Sequence, residues 1–329
     1  MKMIRTFHPV GHGAFYTERF YDDNDDNIAN VVFDCGCFEP GKNPVCKNRI
    51  RAIVDKTFSE NCVIDALFVS HFHIDHINGI QHLMNRCDVK KIYIPYLPKW
   101  AIIESYLFNC IAEDDVRCGA NELIEAVYNN RFDAPCELIE GAACVKILCA
   151  SNWCYKMFTP KTAKRTDFLS KIKQKMPGVI VNNTIDFNKL KEIIKRQGIE
   201  FCRDIYAEIY NCNHNSYSLT LFSGSCLRPV SHNCLYMGDY KAKGKLTELK
   251  NFYQEEFLQI GILQVPHHGS EHNLNDALYR EGMECIISSG THDYYKHPDP
   301  KTVMAISNSG AICHIITEIS QRKDYTIVV

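Results

Sequence analysis

Short apolar runs broken by turn residues open the chain. Residues 2–8, 13–20 and 30–35 read as strands, with Gly11-His12-Gly13 a tight turn between the first two. Asp22 to Asn27 is a polar loop without the glycine and terminal glutamate of a calcium loop. Residues 46–58 suit a helix, 63–70 a buried strand, 76–86 a helix and 91–95 a short strand. Helical periodicity then runs from 99 to about 130. A strand at 143–149 follows, with helical stretches near 162–175 and 186–197. Beyond Asn211 the pattern predicts strands at 217–223 and 234–238 and a helix at 244–257. After them come strand 261–266, helix 273–281, strand 284–288, helix 300–309, strand 312–316 and a last strand near 325–329. Strands alternate with helices in the first and last thirds, which predicts the α/β class.

The 329 residues are enough for a substantial core, and 46% hydrophobic with 23% charged residues fits a globular protein. A net charge of −2 gives no overall pull towards nucleic acid or a membrane. Met1 to His8 lacks the apolar core of a signal peptide, and no apolar run reaches the ~20 residues of a membrane span. The 17 scattered cysteines include no C-x-x-C pair. They read as reduced, mostly buried thiols, so a cytoplasmic location is expected. Between Lys156 and Arg203, 12 Lys or Arg face 4 Asp or Glu, an excess of +8. This segment is a candidate basic surface for a phosphate-rich substrate, or else a solvated helix face.

Val69-Ser70-His71-Phe72-His73-Ile74-Asp75-His76 places three histidines and an aspartate directly after a buried strand. His71 and His73, two apart in an extended loop, can point at one ion, while Asp75 and His76 turn at a helix start towards a second. Imidazole and carboxylate suit zinc and its first-row neighbours. Three later strand tips carry the same chemistry: Met237-Gly238-Asp239, Val265-Pro266-His267-His268-Gly269-Ser270, and Tyr295-Lys296-His297-Pro298. An aspartate after glycine at such a tip can bridge two metals.

In that order these motifs resemble the metallo-β-lactamase superfamily of αββα hydrolases. They are most similar to the soluble metallo-β-lactamase domain of ComEC-type DNA-uptake competence proteins. Val10-Gly11-His12-Gly13, Val32-Phe33-Asp34-Cys35-Gly36 and Asn215-Ser216 belong to the same resemblance, which covers roughly residues 5–95 and 211–318. The competence pattern G-Q-G-D is here Gly11-His12-Gly13-Ala14, and the usual third-motif histidine has His214 as its nearest counterpart. The resemblance implies a single αββα sandwich over 1–329, with a largely helical insertion or lid at about 99–210. It implies two divalent ions: zinc first, manganese or iron as alternatives. One would be held by His71, His73 and Asp239, with His214 or a late histidine. The other would be held by Asp75, His76, Asp239 and a histidine among His267, His268 and His297. Asp34 would orient a ligand histidine from behind, and Asp75, His268 or His297 would serve the chemistry.

Two dications sharing a water lower its pKa towards neutrality and stabilise charge on a phosphoryl or carbonyl oxygen. The resemblance, together with the basic segment, implies a phosphodiesterase or nuclease on DNA, RNA or a cyclic nucleotide, its substrate held by segment 156–203 and no membrane involved. Hydrolysis of a small ester, lactone, thioester or phosphocholine ester is the alternative, and a non-catalytic binding or regulatory module is a third. His8, His82, His232, His292 and His314 are read as structural, and Ser270 and His272 as a cap and a surface residue.

Overall fold

The computed structural model describes residues 1–115, 117–129, 134–146, 152–161, 166–209, 217–225, 232–291 and 295–329. Two seven-stranded sheets form its centre. The first runs in the order Lys323–Val328, Lys2–Phe7, Phe15–Tyr21, Asn27–Cys35, Ala66–Phe68, Ile92–Pro95, Cys136–Ile139. The second runs Ile312–Ile316, Glu284–Ser288, Ile260–Gln264, Asn233–Tyr236, Thr220–Ser225, Trp153–Phe158, Ala142–Lys146. Alternation along the strands decides which face each side chain takes. In Asn27–Cys35, Val31 and Phe33 enter the core between the sheets and Val32 joins the core on the outer side, where Cys35 follows it past a register shift opposite Phe15 and Tyr16. Phe7, Tyr16 and Phe68 of the first sheet meet Tyr155, Leu221, Tyr236 and Ile286 of the second.

Helices close both outer faces. Asn43–Thr57, Ile80–Arg86 and Lys99–Glu113 bury their apolar sides against the first sheet, as Ile50, Leu83, Ile103 and Leu107 show. Leu246–Leu258 and Pro300–Asn308 do the same on the second, through Leu249, Tyr253 and Ile306. The α/β class and the αββα layering expected from the sequence are both present. The parallel strands Asn27–Cys35, Ala66–Phe68 and Ile92–Pro95 share one direction, as do Asn233–Tyr236, Ile260–Gln264 and Glu284–Ser288. Their C-terminal ends carry the histidines and aspartates singled out above, where ligand sites of α/β sheets ordinarily sit.

The structure departs from the predicted elements in the middle third and at 273–281. Residues 99–210 hold helices Lys99–Glu113, Ala120–Tyr128, Thr166–Lys175, Phe187–Gln197 and Ile199–Ile209, but the chain also returns through both sheets between them. Trp153–Phe158, not anticipated as a strand, is buried along most of its length, so it lacks the alternation that marks a half-exposed strand. The helix expected from 99 to 130 breaks where Asp114 takes a left-handed conformation (φ 52°) and closes Lys99–Glu113. Residues 273–281 contain only the short turn Asp276–Leu278: Asn275 Oδ1 accepts the local Ala277 N–H, and Asn273 Nδ2 donates to the distant Asp239 carbonyl. Ser270 accordingly caps no helix.

Loop 8–14 is stapled to the histidine loop. Ala14 N–H donates to the carbonyls of Gly36 and Asp75 at 3.1 Å, and Gly36 N–H donates back to Ala14 at 2.8 Å. A Cβ on Gly36 would stand 2.5 Å from the backbone carbonyl of Asp75. Gly36→Ala is therefore expected to destabilise the protein by about 1–3 kcal/mol, as overpacking does. It should also lower bound metal by displacing Asp75. Thermal melts and metal analysis read both effects, and an unchanged melting temperature would contradict this packing.

Candidate functional site

Each strand tip positions its side chain through a specific hydrogen-bonding device. Asp34 is the penultimate residue of strand Asn27–Cys35, in a left-handed conformation (φ 54°). Its Oδ1 accepts from Ser70 N–H, and its Oδ2 from Ser70 Oγ–H and His76 Nδ1–H, all at 2.7 Å. His71 Nδ1–H donates to Ser70 Oγ at 2.9 Å. Gln264 Oε1 accepts both Met237 N–H and Gly238 N–H at 2.7 Å, and Ser218 Oγ accepts Asp239 N–H at 3.1 Å. Gly238 needs to be glycine: φ is +51°, and a Cβ would lie 2.5 Å from Ser70 Cβ. His267 and His268 are consecutive left-handed residues (φ 50° and 52°), each a strain of order 1–3 kcal/mol held in place by its surroundings. His267 Nδ1–H donates to Asn273 Oδ1 at 3.0 Å, and His268 Nδ1–H to the Ser288 carbonyl at 2.9 Å.

With their Nδ1 atoms engaged, His71, His76, His267 and His268 turn Nε2 towards two carboxylates. His71, His76 and Asp239 form one buried triad, and His12, Asp75 and His268 a second, the donor atoms of each within 4.8 Å of one another. Asp239 lies 3.2 Å from His76 Nε2, 3.5 Å from His71 Nε2 and 3.6 Å from His267 Nε2. Asp75 Oδ2 lies 3.0 Å from His268 Nε2, 3.5 Å from His12 Nε2 and 3.6 Å from His76 Nε2.

His73 stands outside both triads. Its ring stacks on Phe108 at 4.1 Å, and its Nε2 is 3.7 Å from Glu104. His297 lines the cleft, its ring 5.7 Å from His267 and 6.1 Å from His12. His214 lies outside the described residues. His12 was not foreseen as a donor. The one signal for it was a histidine where the competence pattern has glutamine.

These residues fit divalent cations. The Nε2 atoms of His71 and His76 are buried and make no hydrogen bond among the described residues, an expensive arrangement unless something else satisfies them. Two ligands at 2.0–2.2 Å on one tetrahedral ion sit about 3.3–3.6 Å apart, the spacing seen in several of these imidazole–carboxylate pairs. The protonation states agree for four of the donors. Burial would raise Asp75, but His76, His12 and His268 hold its carboxyl well below the usual range. Asp239 is likewise held low, against burial, by His267, His76 and His71. Burial, joined by His76 for His71 and by His12 for His268, keeps these two imidazoles neutral at pH 7. His76 goes the other way: despite burial, Asp239, Asp75 and Asp34 favour its charged form. Three carboxylates around one imidazole leave an excess of buried negative charge, which a cation would neutralise. His71, His76 and Asp239 would hold one ion and His12, Asp75 and His268 another. Such ions supply Lewis acidity and an activated water.

A cleft of about 430 Å³ opens above these residues. Phe108, Ile111 and Tyr206 line one side, and Tyr295 and His297 also contribute to its walls. No Lys or Arg lines it among the described residues. In the basic segment 156–203, Lys156 pairs with Glu256, Lys189 with Glu192, Lys191 with Glu125, and Arg203 with Asp114 and Glu200. None of the described residues of this segment lines the cleft. Of the histidines read as structural, His8 bonds Thr17, His82 pairs with Asp55, and His314 with Glu284. No disulfide joins any of the described cysteines.

The two stacked sheets with helices on both outer faces match the metallo-β-lactamase fold. The family model of the metallo-beta-lactamase superfamily matches residues 26–102, from the third strand through the histidine loop. No curated protein shows significant similarity to the chain. Among solved structures, unliganded yeast PDE1 aligns with 100% of this chain and 99% of its own at 10% identity, with a TM-score of 0.48. Zn(2+)-bound PqqB from Methylobacterium extorquens aligns over 100% of both chains at 7% identity (TM-score 0.46). The metallo-beta-lactamase fold protein YhfI from Bacillus subtilis aligns with 98% of this chain and 99% of its own, at 9% identity (TM-score 0.44). Among the described residues no helix is long and apolar enough to cross a membrane.

Proposed function

We propose that the protein is a metal-dependent hydrolase of the metallo-β-lactamase superfamily that cleaves phosphodiesters with two divalent ions, zinc foremost. The observation that carries this reading is the pair of buried His/Asp triads side by side on the cleft floor. Asp239 and Asp75 would anchor one ion each, and His76 lies close to both carboxylates. His297, on the cleft wall, is placed to meet a leaving oxygen or a phosphate oxygen. Helices Lys99–Glu113 and Ile199–Ile209 act as a lid, since Phe108, Ile111 and Tyr206 come from them. The motif order supports a competence-type phosphodiesterase. The size and aromatic walls of the cleft favour a nucleotide or a nucleic-acid end over a duplex.

A small ester or lactone is the second reading, favoured by the apolar side of the cleft. Elemental analysis, with cleavage of bis-p-nitrophenyl phosphate, cyclic nucleotides, RNA and DNA, separates the two. Two ions per chain and diester cleavage are expected. A chelator should remove both ions and the activity, and added zinc or manganese should restore them. A chain that takes up no metal, or that cleaves only carboxylic esters, would sink the phosphodiesterase reading.

A further inference from the structure

We propose that Glu104, on the lid helix, is a positioning residue for His73 and so makes that helix part of the metal centre. The proposal rests on the dinuclear reading above. Glu104 is fully buried at 0% exposure, a position that carboxylates occupy only when paired. Its Oε2 accepts the Tyr217 hydroxyl at 2.5 Å, and that hydroxyl also contacts Ser105 Oγ at 3.2 Å. Its Oε1 faces His73 Nε2 at 3.7 Å, an ion-pair distance rather than a hydrogen bond. His73 belongs to the H-x-H-x-D-H loop, yet its Nε2 is the nitrogen turned to the helix.

A neutral imidazole has one N–H and one lone pair. With the N–H at Nε2 aimed at the Glu104 carboxylate, Nδ1 carries the lone pair and is the nitrogen that would meet an ion, and a nearby carboxylate increases its basicity. Asp34 serves His76 in the converse sense, taking Nδ1–H at 2.7 Å and leaving Nε2 as donor. The two carboxylates come from different parts of the chain. Asp34 ends a core strand, whereas Glu104 arrives on a helix that also lines the cleft through Phe108 and Ile111.

Tyr217 to Leu219 ties this arrangement to the rest of the site. Tyr217 orients Glu104, Ser218 Oγ accepts from Asp239 N–H at 3.1 Å, and Leu219 N–H donates to the Ser70 carbonyl at 2.8 Å. Three consecutive residues thus brace the lid helix, the Asp239 tip and the histidine loop. Seating of the helix and tight binding of one ion are therefore a single event.

The test is chelator competition on the full chain loaded with zinc, which reads the affinity of each ion without recourse to activity. Glu104→Gln is expected to weaken one ion by about 10–100-fold and leave the other unchanged. Tyr217→Phe, which removes only the hydroxyl that orients Glu104, should weaken the same ion by less, and Glu104→Asp should recover part of the loss. A purely structural role would weaken both ions together or neither, and either pattern overturns the proposal. Wild-type protein with no metal overturns the dinuclear reading as well. Two ions of unchanged affinity in both Glu104→Gln and Tyr217→Phe overturn this inference alone.

Discussion

Asp239→Ala is expected to lower phosphodiester turnover by at least about 10³-fold, the scale of several kcal/mol that a metal centre contributes to the transition state. The magnitude follows from position. Asp239 is buried and lies within 3.2–3.9 Å of four imidazole nitrogens, those of His71, His76, His267 and His268. No other carboxylate approaches that whole set among the described residues. Its removal takes the one carboxylate from the His71–His76–Asp239 triad. Metal analysis should show fewer than two ions per chain. The variant should stay folded, since the brace on residues 237–239 runs through the backbone to Gln264 and Ser218, not through the carboxylate. Asp75→Ala should resemble it, with loss of the ion at His12 and His268. Near wild-type turnover with either substitution would show that the triads are not the reaction centre.

Much of this site is legible in the sequence because a strand followed by polar ligands is a local signal. His71, Asp75, His76, Asp239 and His268 all lie at the ends of buried strands, and the structure gathers them. What could not be read locally is which nitrogen each imidazole offers. That choice depends on partners distant in sequence: Asp34 for His76, Ser288 for His268, Asn273 for His267. His12 was hidden for the same reason. A histidine in a glycine turn becomes a donor only once Ala14 pairs with Gly36 and Asp75. Glu104 had no signal at all. In a helix whose apolar residues dominate, one carboxylate reads as a solvent-facing position, and only the fold shows that it is buried against His73. The middle third misled for a different reason. Trp153–Phe158 is buried on both sides and short, and periodicity cannot distinguish such a segment from a buried helix turn.

Arg5→Met is expected to destabilise the fold by about 3–5 kcal/mol, the range for removing one partner of a buried ion pair. Arg5 and Glu18 are 0% and 2% exposed, and Arg5 Nε donates to Glu18 Oε1 at 2.7 Å. Both belong to the first sheet, yet their remaining partners belong to the second sheet or its approach. Arg5 reaches the Tyr236 hydroxyl at 3.1 Å, Ser223 Oγ at 3.2 Å and the His232 carbonyl. Glu18 accepts from Tyr155 at 2.6 Å, Ser223 at 2.7 Å and Tyr236 at 2.9 Å. Remove the guanidinium, and Glu18 keeps its neutral donors but loses the only cation beside it among the described residues. The pair therefore does two things. It satisfies polar groups inside an aromatic core, and it selects which residues of the two sheets face each other, since a shifted sheet would strand Glu18. The double variant Arg5→Met/Glu18→Gln removes both charges and should be more stable than Arg5→Met alone, a coupling that denaturant melts of the four proteins would measure. Additive effects would mean that the charges do not interact and that apolar packing alone sets the register. Strand Asn233–Tyr236 leads from this network to Asp239, so metal stoichiometry in the folded double variant reports whether the register is kept at the other end. Two ions retained with reduced stability would mean that the network supports the sandwich without shaping its chemistry.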